Sequence, residues 1–156
     1  MNTVISGNTL DYAGTQRAIN IQGGQDGASN LNATVTGNII DIKLDGVGNA
    51  VNGILANSQV ADPSGAGSVL CADFGGASAL SNTFTHSLGG TLAGGDIRVR
   101  ERFAANVQLP GYAGGATNPA QVGAYLDGRN AEVSPSTATF LSGSFLGGGA
   151  CTQPTP

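Results

Sequence analysis

Ten carboxylates, six cations, one histidine and two cysteines carry most of the reactive chemistry available to this chain of 156 residues. Asp11 and Asp41 occupy equivalent places in a repeat described below, so they are expected to stack one above the other. Paired carboxylates can hydrolyse glycosides when their separation is right. Equivalent positions in stacked repeats align in any case, however, and Asp after a strand is ordinary turn chemistry. No catalytic residue is therefore assigned, and whether the chain is an enzyme stays open, with a non-enzyme the favoured reading. Arg98, Arg100 and Arg102 hold half of the six basic residues. With Ile97, Val99 and Phe103 facing a core, the three guanidiniums would line one outer face, where Arg can grip carboxylates or sulfates with two parallel hydrogen bonds. The competing reading is structural: pairing with Asp73, Asp96 or Glu101, or holding a capping segment. His86 has no Ser or Cys nucleophile in a recognisable elbow, so it is read as an exposed turn residue.

Cys71 and Cys151 cannot form a zinc site alone, since structural zinc normally takes four ligands. They are expected to form one long-range disulfide. Gly23-Gly24-Gln25-Asp26-Gly27 and Asp45-Gly46-Val47-Gly48-Asn49 could supply oxygen ligands to Ca²⁺, but neither repeats as a calcium-binding array does, and tight turns explain both. No cofactor is assigned. Three Thr-x-Thr pairs, at Thr34/Thr36, Thr83/Thr85 and Thr137/Thr139, do not recur at one repeat position, which argues against an ice-binding ladder.

What must position these groups is an internal repeat. Residues 4–11 read Val-Ile-Ser-Gly-Asn-Thr-Leu-Asp and residues 34–41 read Thr-Val-Thr-Gly-Asn-Ile-Ile-Asp, 30 residues later. A weaker copy at 79–84 reads Ala-Leu-Ser-Asn-Thr-Phe. Periods of this size point to a solenoid. Ile5, Val35 and Leu80 would face inward before a bend, and Leu10, Ile40 and Phe84 after it. Asn8, Asn38 and Asn82 would sit in the bend, where Asn tolerates the left-handed conformation, and would hydrogen-bond one another as a ladder. Alternating strands at Ala18–Ile21, Ala50–Leu55 and Asp96–Arg100, and a third set at Leu31–Ala33 and Ser68–Asp73, complete the pattern. The expected fold is all-β, a right-handed parallel β-helix of about three coils over residues 1–103. Residues 104–156 would be a capping segment on the same domain. It would hold one helix near 119–127, with Asn118 as N-cap, Pro119 in the first turn and Gly128 at its end, and a last strand from Thr137–Phe140 and Phe145.

Composition narrows the function. Gly accounts for 26 residues and charged residues for 10%, with no Trp, which suits thin repetitive β-structure rather than a disordered chain. A net charge of −4 gives no support to nucleic-acid binding. No apolar run is long enough to span a membrane, and residues 1–10 lack signal-peptide character. The start is read as placed inside a longer protein.

The runs Leu70-Cys71-Ala72-Asp73, Asp96–Phe103, Leu109-Pro110-Gly111-Tyr112-Ala113-Gly114 and Gly147–Cys151-Thr152-Gln153-Pro154 resemble, in order, a C-terminal segment of large bacterial surface or secreted β-helix-repeat proteins of adhesin type. The resemblance covers most of residues 65–156; the first 60 residues match only the generic solenoid pattern. It implies the fold, export to the medium or cell surface, and a terminal position, but no defined activity. The expected function is a structural and adhesive module that caps the solenoid. Its loops at Val60–Gly67 and Ser87–Gly95 would be displayed to a glycan, or to a host or neighbouring surface protein. The alternative is a polysaccharide-active β-helix enzyme or its carbohydrate-binding module. Self-association through an exposed N-terminal coil is a further expectation.

Overall fold

The computed structural model describes residues 1–23, 27–43, 52–58, 66–148 and 154–155. The strands are short and all pair in parallel, forming three sheets. In chain order they are β1 (Asn2–Ser6), β2 (Thr9–Tyr12), β3 (Arg17–Gln22), β4 (Asn30–Thr36), β5 (Ile39–Ile42), β6 (Asn52–Asn57), β7 (Val69–Phe74), β8 (Thr83–Thr85), β9 (Ile97–Arg100), β10 (Asn106–Leu109), β11 (Thr137–Thr139) and β12 (Ser144–Gly147). The one α-helix among the described residues is α1 (Pro119–Asp127). The first sheet runs β1-β4-β7-β10-β12, the second β2-β5-β8, and the third β3-β6-β9-β11. Successive strands thus visit the three sheets in turn.

Register explains why these residues build a core. In the first sheet Ile5, Val35 and Phe74 pair across β1, β4 and β7, and Leu31, Leu70, Val107 and Phe145 form the next column. Leu10, Ile40 and Phe84 stack in the second sheet. Ile19, Ile54 and Ile97 stack in the third, beside Ile21, Ala56, Val99 and Ala138. Alternation at period two sends each set to the interior, and one contiguous cluster contains these columns.

Three sequence expectations need correction. Leu80 is not the third member of the pre-bend column. It lies in a 3-10 turn, Ser78–Leu80, and is 49% exposed, while Phe74 fills the core position. Residues 75–81 are an insertion between strand and bend, which displaced the apparent match. The left-handed conformation at the bend belongs to Gly7 (φ 65°) and Gly37 (φ 64°), not to the asparagines that follow them. Glycine adopts that region without steric cost, and this frees Asn to make side-chain bonds. Finally, stacking does not stop at residue 103: β10 pairs with β7, β11 with β9 and β12 with β10. The chain therefore makes four rounds of the three sheets, with Thr83 bridged to Ala131 in place of a full fourth-round strand, and then adds β12.

Helix α1 is an insertion within that fourth round. Asn118 Oδ1 accepts the Gln121 N–H at 3.1 Å and Pro119 opens the helix, which occupies Pro119–Asp127. Val122 and Leu126 are buried. Tyr125 Oη donates to Pro110 O, and the Tyr125 ring meets Tyr112 edge-on at 5.5 Å.

Candidate functional site

The bends carry the most regular polar network. Asn8 Nδ2 and backbone N–H both donate to Asn38 Oδ1, at 3.0 and 3.1 Å. Asn38 does the same to Asn82 Oδ1, at 2.8 and 3.1 Å. Asn82 does the same to Asn130 Oδ1, at 2.9 and 3.2 Å. Asn130 is a rung that sequence reading missed, because its bend lacks the flanking pattern and α1 lies between it and the preceding strand. Its Nδ2 donates to Leu126 O at 2.9 Å, tying the ladder to the helix C-terminus. Asn38 and Asn82 are fully buried, so each amide must meet its donors and acceptors internally. The ladder does that, and its chemistry is structural.

Two buried carboxylates bracket β9. Asp96 Oδ2 accepts the backbone N–H groups of Val133 and Ser134, each at 2.8 Å. Its Oδ1 lies 2.7 Å from His86 Nε2, and His86 Nδ1 lies 2.9 Å from Gly90 O. The His86 side chain is only 2% exposed, so it is not the exposed turn residue expected. Both ring nitrogens are thus engaged by neighbouring groups. Glu101, fully buried, accepts N–H groups from Leu141, Ser142 and Gly143. Asp96 and Glu101 thus hold the corners of the following round. The loop at Ser87–Gly95 is correspondingly anchored: Leu92 is buried and its N–H bonds Ser134 Oγ at 2.8 Å.

These bonds decide where the arginine partners are. Asp73 is paired with Arg129, Asp96 with His86, and Glu101 with backbone. None of the three is bonded to Arg98 or Arg100. Both arginines alternate with core-facing Ile97 and Val99 on β9. Across the sheet, Arg98 registers with Leu55 and Thr137, and Arg100 with Asn57 and Thr139. The Arg100 guanidinium is lowered from its ordinary range, first by burial and then by the positive charges of Arg98, Arg102 and Arg17. Arg17, at the start of β3, is a fourth member that sequence reading did not place here. Its distance of about eighty residues along the chain hid it. Arg102 stacks on the Phe103 ring at 5.1 Å. Phe103 is not a core residue as expected. It sits half-buried in a left-handed turn with φ 52°.

The remaining acids fall in two groups. Asp11 and Asp41 pair in register on β2 and β5. Lys43 Nζ lies 2.6 Å from Asp11 Oδ2. Hydrogen bonds from Ser87, then from Thr85, hold Asp41 below the usual carboxylate range. A carboxylate kept ionised this way is unsuited to act as a general acid. The second group, Asp127 and Glu132, was not singled out from sequence. Ser136 N donates to Asp127 Oδ1 at 2.9 Å and Ser136 Oγ to Glu132 Oε2 at 2.7 Å. Burial, followed by the hydrogen bond from Asp127, pushes Glu132 up to about 8. A groove of about 350 Å³ runs beside them between α1 and β11.

Comparison with known proteins gives no relative. No family model, curated protein or solved structure matches the chain. Function must therefore be argued from the residues themselves. The two Gly- and Asp-containing loops weighed as Ca²⁺ ligands lie wholly or largely outside the described residues, as do Cys151 and most of the loop at Val60–Gly67. Cys71 is 1% exposed although it alternates with core-facing Leu70 and Ala72. On the same outer face, one strand away, Thr34 is also buried and its Oγ1 donates to Pro154 O, three residues beyond Cys151.

Proposed function

We propose that the three sheets are the faces of one right-handed parallel β-helix. On this reading the chain is a structural and adhesive module of an exported bacterial protein, with a face that takes acidic glycans. Parallel crossovers are right-handed in nearly all known cases, and the continuous register across four rounds supports a single stack. The resemblance to β-helix-repeat surface proteins carries the exported, cell-surface part of the reading. Cys71 and Cys151 would be bridged. The burial of outward-facing Cys71 and the bond from neighbouring Thr34 to Pro154 support a tail folded over that face.

The observation that carries the binding role is the arginine cluster. Arg17, Arg98, Arg100 and Arg102 are four of the six basic residues in a chain of net charge −4. They are close enough for their charges to act together on Arg100. Arg98 and Arg100 alternate with core-facing residues and so share one outer face of β9, and guanidinium matches the planar carboxylate of a uronate or the oxygens of a sulfate. Flat registered strands suit a linear polymer better than a small molecule.

The test is binding to a panel of neutral and acidic polysaccharides at two salt concentrations, with new chain ends measured in parallel. Acidic polymers should bind, more weakly at high salt, and neutral ones should not. Replacing Arg98 and Arg100 by Ala should weaken binding by about tenfold or more, since each charged hydrogen bond is worth ~1.5–3 kcal/mol. Equal binding by the double variant would refute the assignment. The enzyme alternative has no support in the acids described. Asp11 faces Lys43, Asp41 is held ionised, and Asp127 and Glu132 are each bonded to Ser136. Glycoside hydrolysis wants its carboxylates roughly 5–9.5 Å apart. New chain ends would reverse this conclusion.

Self-association has its own motivating observation. β1, β2 and β3 each end their sheet at the same end of the stack, and unpaired parallel edges invite pairing with another chain. Sedimentation should show a concentration-dependent increase in mass, and a strict monomer at high concentration would exclude it.

A further inference from the structure

The asparagine ladder has a direction. Each rung donates its backbone N–H and one Nδ2 hydrogen to Oδ1 of the rung in the next round, from Asn8 through Asn38 and Asn82 to Asn130. Past the first rung, Nδ2 also turns back to a carbonyl of the preceding round: Ile5 O for Asn38, Val35 O for Asn82 and Phe74 O for Asn130. Asn130 meets Leu126 O of α1 at 2.9 Å where the next rung would otherwise stand. The segment around α1 closes the other two sheets at the same end. Ala116 O accepts the Phe145 N–H of β12 at 2.8 Å, and Asp127 Oδ1 accepts the Ser136 N–H beside β11 at 2.9 Å. A Cβ added at Gly123 would fall 2.7 Å from Ser136 O, so the helix sits against this end as closely as glycine permits. The opposite end is built differently. β1, β2 and β3 are the terminal strands of their sheets. Asn8 gives its hydrogens to Ser6 O and Asn38 Oδ1, and its own Oδ1 accepts none among the described residues. The apolar columns are uncovered there as well: Ile5 and Leu10 are only partly buried, while Val35 and Ile40, one round on, have no exposure.

Given the single stack and open N-terminal edges argued above, we propose that this end is a docking surface for one further parallel coil carried by another polypeptide. The coil it fits is a strand, a Gly-Asn bend and a second strand, with aliphatic residues at the core-facing positions. Main-chain bonds to an open edge supply affinity, and the side chains that meet across it supply selectivity. The contact continues an interface already present, since the second round is held to the first in the same way: Val35 stands in register with Ile5 and Ile40 with Leu10, and Asn8 donates to Asn38 Oδ1. One step earlier in the stack, the incoming Asn gives its N–H and Nδ2 to Asn8 Oδ1, and its apolar neighbours cover Ile5 and Leu10. A second copy of this chain answers the same surface less completely. Residues 116–127 close its C-terminal end, so it offers only its own N-terminal end. That end has the same bare Asn8 Oδ1, an acceptor that cannot donate to another. A donor coil should therefore displace a second copy.

The probe is a synthetic peptide of residues 29–43, which carries β4, the Gly37-Asn38 bend and β5. It is added to the whole chain, with binding read by fluorescence anisotropy of the labelled peptide and the site by hydrogen exchange. Saturable binding is expected, with new protection over residues 2–12 and none over residues 137–147. Asn8→Ala in the protein should weaken binding about tenfold, since it removes the acceptor of two hydrogen bonds. Asn38→Ala in the peptide, which leaves the protein untouched, should weaken it about fivefold. The peptide should also return self-associated protein to single chains in sedimentation. Absence of saturable binding, binding indifferent to both substitutions, or protection at the β11–β12 end would overturn the docking assignment. Two further results separate this inference from the reading beneath it. Residues 2–12 as protected as β6 without peptide would mean that the N-terminal edges are not open at all. Unprotected residues 2–12 with self-association that persists in excess peptide would give that end to a second copy, and only the donor coil would fall.

Discussion

Replacing Asn82 by Ala probes whether the ladder holds the stack together. The Asn82 side chain makes four bonds: Oδ1 accepts Asn38 N and Nδ2, and Nδ2 donates to Val35 O and Asn130 Oδ1. Most partners keep another bond afterwards. Val35 O retains the Gly75 N–H at 2.9 Å, Asn130 Oδ1 retains the Asn82 backbone N–H, and Asn38 Nδ2 retains Ile5 O and Thr36 O. The Asn38 backbone N–H is the one group left without a partner, in a residue with no exposure. An orphaned buried donor costs ~1–3 kcal/mol, and the net loss of the other three bonds adds about 0.5–1.5 kcal/mol each, so a total of roughly 2.5–7.5 kcal/mol is expected. Asn8→Ala is the control. It removes only the Nδ2 bonds to Ser6 O and Asn38 Oδ1 at an exposed end, and Asn38 Oδ1 still accepts the Asn8 backbone N–H. Its cost should be about 1 kcal/mol. Urea denaturation followed by far-ultraviolet dichroism gives both values. If Asn82→Ala costs no more than Asn8→Ala, the ladder does not bear on stability as reasoned here.

Three further outcomes follow from the same interior. Glu101→Gln turns an amide donor toward the N–H groups of residues 141–143, so it should cost about 2–3 kcal/mol in the same assay. Gly53→Ala places a methyl 2.4 Å from the Phe84 ring and 2.9 Å from Asp96 O, and overpacking of this kind should lower stability by ~1–3 kcal/mol. The proposed Cys71–Cys151 bridge should appear as a peptide pair in a non-reducing digest. Its reduction should cost on the order of 4–5 kcal/mol, since the closed loop is about eighty residues long. A chain as stable reduced as oxidised would exclude a stabilising bridge.

How much of this was legible in sequence depended on whether the physics was local. Asn118-Pro119 and the spacing of Val122 and Leu126 announced α1 correctly because capping and helical period act within one turn. The columns Leu10-Ile40-Phe84 and Ile19-Ile54-Ile97 were partly visible, because register repeats the apolar alternation. The fourth round was not. Its bend residue Asn130 follows Asn82 by 48 positions rather than 30, with a helix inserted, and β10, β11 and β12 are too short to show alternation clearly. His86 was misread because a lone histidine near Gly-rich turns has no sequence signature for a buried partner ten residues away. The electrostatic coupling of Arg17 to Arg100 was invisible for the same reason: the two lie about eighty residues apart, on β3 and β9 of one sheet.

Charge segregation links the fold to its proposed role. Seven of the ten acids lie among the described residues, and every one is engaged. Asp11 meets Lys43, Asp41 meets Thr85 and Ser87, and Asp73 meets Arg129. Asp96 and Glu101 clasp backbone amides, and Asp127 and Glu132 meet at Ser136. A repeat stack needs such uses, because each round's turns leave N–H groups that the sheets do not satisfy. Using carboxylates on turns leaves Arg98 and Arg100 outside these pairings, in a chain whose net charge is negative. A uniform acidic surface would repel an acidic polymer, whereas a basic strip on an acidic body orients it along that strip. On this argument the arginine face owes its character as much to where the acids are held as to Arg98 and Arg100 themselves. Glu101→Gln, for all its cost in stability, should leave acidic-glycan binding by the folded protein unchanged.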